Sequence, residues 1–446
     1  MTVAPPPPNP LLIAPFVLLL AAMALGPVLT PAWWGRHYGK VTLSLGAITG
    51  SYYLFVLHAY TPAAHMAHEY VGFITLIGGL FVVAGGIHLQ VGGRTGPLAN
   101  TAFLLAGAIL ANLLGTTGAA MLLIRPWLRL NEGRVRAHHL IFFIFIVANV
   151  GGCLTPIGDP PLFLGYLQGV PFWWVAQYCW PMWAVAVGLL LAIFYGVDKW
   201  HHLRHPAPLS STLPKQPWHM AGGSNLLFLA IMLGAVFVEH PPILREGLMI
   251  SAAAGSYLTT RKTVHTANGF NFHPLAEVAL LFAGIFATML PALDWLTAQA
   301  PELLGNNPAP GLYYWGTGAL SSLLDNAPAY LAFLSTLKGL TPGSDTAALL
   351  HHHAAALTAI SVGSVFLVPP PIWATAPTSW SRPSPMSKKL PCPPSPAWSS
   401  SIPCRSCCRF WLWSGGASSG SSCSKKSYKR NISFARPASL VEIIPA

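Results

Sequence analysis

Apolar segments long enough to cross a lipid bilayer follow one another along most of this chain and limit the folds open to it. They are residues 10–30, 41–60, 70–90, 100–124, 139–168, 174–196, 224–240, 244–259, 275–296, 311–337 and 351–368. A spanning helix needs roughly 17–25 apolar residues. Only 8% of the residues are charged, against about 25% in a soluble domain. The sequence therefore predicts an all-α, multi-pass membrane protein that is surrounded by the lipid bilayer.

The basic residues lie in short loops between these segments, so the net charge of +12 follows the positive-inside rule and does not indicate a nucleic-acid partner. Arg36 and Lys40 follow the first segment, whereas the loops at 61–69 and 297–310 contain no Lys or Arg. Residues 1–9 are rich in proline and lack the basic start of a secretory signal, so the first segment is predicted to be a retained helix. Together these features predict a periplasmic N-terminus.

Residues 100–124 have basic residues on both sides, with Arg94 before them and Arg125 and Arg129 after them. Both ends are therefore expected on the cytoplasmic side, which a single crossing cannot achieve. A re-entrant hairpin that turns at residues 115–118 satisfies this pattern.

Two further segments carry sequences that interrupt a helix. Residues 311–337 contain LLDNAPA and are predicted to form a second hairpin, entered from the outside, and residues 139–168 are predicted to form a helix broken at LTPIGDPP. Irregular backbone at membrane depth is tolerated only where it is buried in protein or lines a wet cavity. Each half would then contain three helices, a hairpin and a broken helix. An odd number of crossings in the first half inverts the second, as in many secondary transporters.

The chain is accordingly divided into five parts. They are a proline-rich tail at 1–9, a first transporter repeat at 10–198, a cytoplasmic linker at 199–223, a second transporter repeat at 224–367, and a Pro/Ser/Cys-rich tail at 368–446. The sequence evidence for a duplication is that NLLG at 112–115 aligns with SLLD at 322–325, each opening a turn that contains Gly or Pro.

Asp159 and Asp325 lie inside apolar segments, where a carboxylate normally faces a cavity and binds an ion or a proton. Hard cations prefer oxygen ligands, and the hairpin tips and the broken helix supply them. The candidate ion or substrate ligands are Asn112, Thr116, Thr117, Asn149, Thr155, Asp159, Ser322, Asp325 and Asn326. The two aspartates are the candidate Na⁺ ligands, and Na⁺ and H⁺ would be transported ions rather than cofactors. The alternative is that all nine are turn residues that cap short helices.

The histidine groups at 138–139, 201–202 and 351–353 lie at segment ends and are interpreted as solvated flanks rather than metal ligands. The sequence contains no HExxH motif, nucleophile elbow or phosphate-binding loop. A membrane-embedded enzyme is therefore the least favoured class.

Four stretches carry a family resemblance: NLLGTTGAAMLLIRP at 112–126, NVGGCLTPIGDPPLFLGYLQGVPFWW at 149–174, EVALLFAGIFATMLPAL at 277–293 and SSLLDNAPAYLAF at 321–333. They resemble a bacterial branch of the ion transporter superfamily, which is similar to the NhaD-type sodium:proton antiporters and is often grouped with citrate transporters. The resemblance covers about residues 10–367. It implies paired hairpins and broken helices that build the ion site, a bacterial inner-membrane location and a homodimer.

Residues after 367 depart from that family, because VPPPIWATAPTSWSRPSP is dense in Pro and Ser and contains no membrane-length run. One interpretation is a disordered tail. The other is a frameshift near residues 367–369. Codons shifted by one base across 370–381 can encode Thr-Tyr-Leu-Gly-Asn-Gly-Pro-Asn-Phe-Met-Val, as in the family's second broken helix, and the codons of Trp373 and Ala374 then allow only Gly. In that case the chain as given lacks one wall of its ion site and a last helix, and is predicted to be inactive.

The leading functional hypothesis is sodium:proton exchange, in which Asp159 and Asp325 alternately bind Na⁺ or protons. The alternative is Na⁺- or H⁺-coupled transport of citrate or another small carboxylate anion. Against the alternative, the sequence places no basic residue near either hairpin tip.

Overall fold

The computed structural model describes residues 10–92, 96–132, 134–204, 219–238, 241, 243–305, 308–341 and 346–367. The two predicted tails, at 1–9 and 368–446, lie outside the described residues, and so does the predicted frameshifted segment.

The described chain is almost entirely helical. Its α-helices are α1 (Ala14–Leu29), α2 (Pro31–Ser51), α3 (Tyr60–Gly85), α4 (Pro97–Leu130), α5 (Ala137–Ile146), α6 (Pro160–Leu167), α7 (Phe172–Arg204), α8 (Asn225–Ala235), α9 (Leu244–Thr259), α10 (Lys262–Asn268), α11 (His273–Leu304), α12 (Pro310–Leu323), α13 (Asn326–Gly339), α14 (Thr346–His352) and α15 (Ala354–Phe366). Short 3₁₀ turns cover Pro10–Ile13 and Val150–Gly152, and one π turn covers Tyr52–Val56. The predicted helical membrane fold is confirmed.

By length and composition alone, five described helical stretches could cross a membrane: Leu11–Leu29, Tyr60–Gly85, Phe172–Arg204, His273–Leu304 and Pro97–Leu130, the last of which is kinked at Gly115. A sixth is reached if the bent pair α14 and α15 forms one span. Two details differ from the sequence predictions. Helix α2 starts at Pro31, so Arg36 and Lys40 lie within a helix and not in a loop. Helix α7 continues to Arg204, into the segment predicted to be a linker.

Helix α4 folds back on itself at Gly115, whose backbone has φ 72° and ψ 156°. This conformation is open almost only to glycine. The two arms then pack side by side in opposite directions: Asn100 Nδ2 donates to Asn131 Oδ1 at 2.9 Å, and the rings of Phe103 and Trp127 stack with centroids 5.4 Å apart. These contacts confirm the first predicted hairpin.

A second hairpin is formed by α12 and α13, with a turn at Leu324 and Asp325 where the backbone is extended. Its arms also run antiparallel, since the rings of Tyr313 and Phe333 meet edge to face at a centroid distance of 6.2 Å. A side chain at Gly316 would clash with Phe333, its Cβ lying 2.7 Å from Cζ, so the small residue allows the arms to approach closely.

The predicted break in residues 139–168 is also present. Helix α5 ends at Ile146 and α6 begins at Pro160, and irregular backbone with one 3₁₀ turn joins them. Proline at the first position of α6 fits the start of a helix, because that position needs no N–H donor. A comparable bend of 93° separates α14 from α15.

Helices α2, α3, α9 and α11 form a second layer beside the hairpins. Helix α2 packs on α11 and α3 packs on α9, and Phe73 of α3 lies between Phe282 and Phe286 of α11. The approach of α2 to α11 is close, because a Cβ at Gly284 would lie 2.2 Å from Thr42 Cγ2. Substitution of Gly284 is thus sterically restricted.

Two short strands are the described exception to the all-helical prediction. Strand β1 (His88–Gln90) follows α3, and β2 (His219–Ala221) precedes α8. They pair antiparallel with Leu89 opposite Met220. This small sheet joins the end of α3 to the start of the second predicted repeat.

Candidate ion-binding site

The tip of the first hairpin is held by the irregular segment between α5 and α6. Asn112, which is 7% exposed, lies one turn before Gly115. Its Nδ2 donates to the Gly151 carbonyl at 2.7 Å, and its Oδ1 accepts from the Leu154 amide at 2.9 Å. The Asn112 side chain thus satisfies two backbone groups that the broken helix leaves without helical partners.

The same interface continues on the other side of the tip. The Thr155 hydroxyl donates to the Asn112 carbonyl at 2.6 Å, and the Thr116 amide donates to the Gly158 carbonyl at 2.8 Å. Such bonds are needed, because Gly115 interrupts the helical hydrogen-bond pattern inside the protein. The hairpin tip and the broken helix therefore complete each other's backbone hydrogen bonding.

Two glycines set how closely the broken helix folds on itself. A Cβ at Gly158 would lie 2.0 Å from the Gly152 carbonyl oxygen, and a Cβ at Gly152 would lie 2.6 Å from Thr116 Cγ2. The obstructing atom at Gly158 is rigid backbone. A larger residue there would push apart the segment that positions Asp159.

Asp159 lies at the point where both hairpins meet. It precedes α6 and is 4% exposed. Its Oδ1 accepts from the Thr116 hydroxyl at 3.3 Å, and its Oδ2 accepts from Asn326 Nδ2 at 3.1 Å. Thr116 belongs to the first hairpin and Asn326 to the second, so one carboxylate contacts both tips. Asp325 is near enough for the two carboxylates to interact electrostatically.

The structure thus brings Asn112, Thr116, Thr155, Asp159 and Asn326 into one hydrogen-bonded group, with Asp325 beside it. The other predicted ligands do not share it. Thr117 is exposed, and the Ser322 hydroxyl donates to Ala319 of its own helix at 2.7 Å. Asn149 is buried at the start of the 3₁₀ turn, and no described side-chain hydrogen bond joins it to the group.

A small cavity of about 30 Å³ lies beside the first tip, between α3, α4 and the start of α6. It is lined by Leu76, Ile77, Leu80, Leu114, Gly115, Thr116, Thr117, Gly118, Pro156, Ile157, Gly158, Pro160 and Phe163. A water molecule needs roughly 10–15 Å³ of this kind of volume. The space therefore fits one or two atoms of the size of water or a bare cation, and Asp159 is not among the residues that line it.

A second buried polar group, at the base of the first hairpin, was not predicted. Asp198 of α7 is 1% exposed and accepts two hydrogen bonds from Arg134, at 2.8 and 2.9 Å. Asn100 also donates to it, at 3.0 Å. This charge pair ties both ends of the hairpin to α7. The signal in the sequence was the spacing of Asp198, His201 and His202, which places them on one helical face.

The prediction of solvated histidines at 138–139 is wrong for His139, which is 1% exposed. Its Nε2 lies 3.3 Å from Asp198, and His138, His139 and Asp198 are close enough together to bind a metal ion. However, Arg134 already neutralises the carboxylate, and the backbone N–H of Arg136 donates to His139 Nδ1 at 3.3 Å. An Nδ1 acceptor leaves the proton on Nε2, so the group is organised as an ion-pair network.

No curated protein matches the chain. A sequence model of the family described as "Putative citrate transport" matches residues 8–369, which is most of the chain and includes both hairpins and the first broken helix. The match ends close to where the sequence becomes rich in Pro and Ser. The chain belongs to this family.

Proposed function

We propose that the protein is a cation-coupled secondary transporter and that its activity is sodium:proton exchange. The observation that carries the proposal is the position of Asp159, a buried carboxylate that contacts the tips of two hairpins. Carboxylates inside transmembrane segments generally mark ion or proton pathways.

The polar groups around Asp159 favour a cation. Within the described residues its hydrogen bonds come from a hydroxyl and a carboxamide, both of them neutral. Burial of a charge without a partner costs about 3 kcal/mol or more. Binding of Na⁺ or of a proton removes that penalty. Competition of the two for the same carboxylate is the basis of an exchange mechanism.

The size of the cavity at the first tip agrees with this choice. About 30 Å³ accommodates a bare or singly hydrated cation beside the oxygen atoms of Thr116 and Gly158.

Inverted duplication, which is the basis of alternating access in many secondary transporters, is supported by reciprocal packing. Helix α2 lies against α11, and α3 lies against α9, as expected if α2 and α3 correspond to α9 and α11. The Ser321 hydroxyl donates to the Ser364 carbonyl at 2.9 Å, a separation of 43 residues. Thr155 and Asn112 are bonded across the same separation. We propose that the two repeats alternate around Asp159, with the N-terminus in the periplasm.

Transport of citrate coupled to Na⁺ or H⁺ is the second candidate, and the family description favours it. The cation site at Asp159 would have the same role in both cases. In this alternative the carboxylate substrate would be bound by backbone N–H groups at the ends of the half-helices, since neither described tip carries a basic side chain.

We further propose that the polypeptide as given does not transport, because its reading frame shifts near residue 367. Support comes from the shifted codons, which can encode the segment that would pair with residues 158–163. Sequencing of the gene across codons 360–385 tests this. An in-frame read of the same Pro-rich tail in independent isolates contradicts the frameshift.

Transport is tested in proteoliposomes with the frame-restored chain. We expect Na⁺ to dissipate an imposed pH gradient, and we expect this response to be lost in Asp159→Asn and Asp325→Asn. Glu302→Gln is the control, because Glu302 is an exposed carboxylate near the end of α11. An unchanged response in Asp159→Asn refutes the site. Uptake of labelled citrate without proton exchange would select the second candidate.

A further inference from the structure

Each hairpin carries one basic residue on its second arm that reaches a neighbouring helix layer. In the second hairpin this residue is Lys338, at the end of α13, and in the first it is Arg125, in the second arm of α4. They lie about 20 Å and about 15 Å along the arm from their tips, at 1.5 Å per residue. Neither residue belongs to the ion-binding group described above.

Lys338 is connected to α3 through one glutamine. Lys338 Nζ donates to Gln168 Oε1, and Gln168 Nε2 donates to Glu69 Oε1 at 2.6 Å. Glu69 is 3% exposed and also lies 3.2 Å from His65, one turn earlier on α3. Gln168 directly follows α6. These hydrogen bonds therefore join the second hairpin, the broken helix and α3.

Arg125 is connected to the C-terminal end of α3. Its Nη1 donates to the Ala267 carbonyl in the last turn of α10, where a positive charge complements the helix dipole. The next residue, Asn268, donates to the carbonyls of Gly85 and Ile87 at 2.8 Å each. Gly269 follows with φ 53°, and a Cβ there would lie 2.7 Å from Arg125 Nη2.

The two connections are therefore far apart on one helix. Glu69 and Gly85 are separated by sixteen residues of α3, or about 24 Å, which approaches the thickness of a bilayer core of about 30 Å. One connection is made by the second hairpin and the other by the first. Both are formed at the same time in this structure.

We propose that Lys338 and Arg125 are positioning residues that fasten the two hairpins to two separate points of α3, at Glu69 and at Gly85. A hairpin that moves relative to α3 by more than a hydrogen-bond length must break one of the hydrogen bonds of its own connection. Because each connection involves a different hairpin, each can be released without the other. This proposal rests on the proposed function, in which the hairpins move during transport.

Hydrogen–deuterium exchange on the purified full chain, read by mass spectrometry, tests the proposal. We expect Lys338→Met to raise amide exchange at least threefold in residues 160–168 and 326–337 and to leave residues 116–130 unchanged. We expect Arg125→Met to raise exchange in residues 116–130 and 262–268 and to leave 326–337 unchanged. Lys338→Arg should restore the pattern of the parent chain.

The controls are Lys262→Met and Arg129→Met, which replace exposed basic residues on α10 and on the same arm as Arg125. Both should leave all of these segments unchanged. Glu69→Leu, which removes the acceptor of the Gln168 bond, should reproduce the effect of Lys338→Met, and the double variant should be no worse than either single variant. Equal increases in both hairpins, or no increase in either, would overturn the proposal. Hydrogen–deuterium exchange does not require transport. Failure of this proposal can therefore be distinguished from failure of the Asp159 transport test.

Discussion

The two hairpins are built alike but have different surroundings. Both have antiparallel arms and a short turn, and a glycine allows the arms or the tip to approach a neighbour closely. The first tip is bonded to its broken helix through Asn112, Thr116 and Thr155. The second tip reaches Asp159 through Asn326, and Ser321 contacts α15. The comparison shows that a hairpin tip obtains its hydrogen bonds from its broken helix, and that Asp159 alone connects the two tips among the described hydrogen bonds.

Glycine substitutions are expected to give the largest difference between the two hairpins in lost stability. Gly158→Ala places a Cβ 2.0 Å from the rigid Gly152 carbonyl and should destabilise the protein by about 3 kcal/mol. Gly318→Ala meets Leu367 Cδ1 at 2.1 Å, but this side chain can change rotamer, so the loss should be about 1 kcal/mol. Thermal unfolding in detergent measures both. Equal losses would mean that the first tip is no more rigidly packed than the second.

Asn112→Ala is expected to have the next largest effect. It removes the bonds to Gly151 and Leu154. The Leu154 amide loses this partner, whereas the Gly151 carbonyl keeps the bond from Trp183 Nε1 at 3.0 Å, so the expected cost is about 1–2 kcal/mol. Denaturant unfolding of the variant and the parent chain measures the difference. A loss below about 1 kcal/mol would show that water or another group replaces the Asn112 side chain.

Asn326→Ala removes the bond between the second tip and Asp159, and we expect a loss of about 1 kcal/mol. Its combination with Thr116→Val tests whether the tips are coupled through the shared carboxylate. The two losses should not add, because each variant changes how well Asp159 is satisfied. Strict additivity in thermal unfolding would mean that the tips are independent.

Ser322→Ala should have the smallest effect. Its hydroxyl bonds only to Ala319 of the same helix, so the expected change in unfolding free energy is below about 0.5 kcal/mol. In the frame-restored chain it should also leave the sodium concentration for half-maximal exchange unchanged. A marked rise in that concentration would indicate that Ser322 is an ion ligand.

Much of this arrangement could be predicted from local sequence. Basic residues on both sides of 100–124 predict the hairpin, and Gly115 explains its turn. Asp159 was identified because a charge within an apolar segment is unfavourable without a partner. The charge pair of Asp198 and Arg134 could not be predicted in this way, since 64 residues separate its members. The bond from Asn326 to Asp159 depends on how two distant segments pack, which local patterns do not encode.

The role of Asn112 was also only partly predicted. Its position at a turn suggested an ion ligand, but its side chain satisfies the backbone of the broken helix. A sequence pattern indicates that a polar group is needed at a site, and it does not distinguish a group that binds an ion from one that holds the site together. For Asn112 the hydrogen bonds show that its side chain holds the site together, and ion binding by this residue stays a prediction.

The two oxygens of Asp159 each face a different half of the chain, and this has an evolutionary consequence. A substitution at Thr116 alters the carboxylate that Asn326 also binds, so its effect depends on the residue at 326. The halves of a duplicated gene would then be unable to diverge independently at these positions. A half transplanted from a distant relative would fail at this residue first, and compensating mutations would arise at the opposite tip.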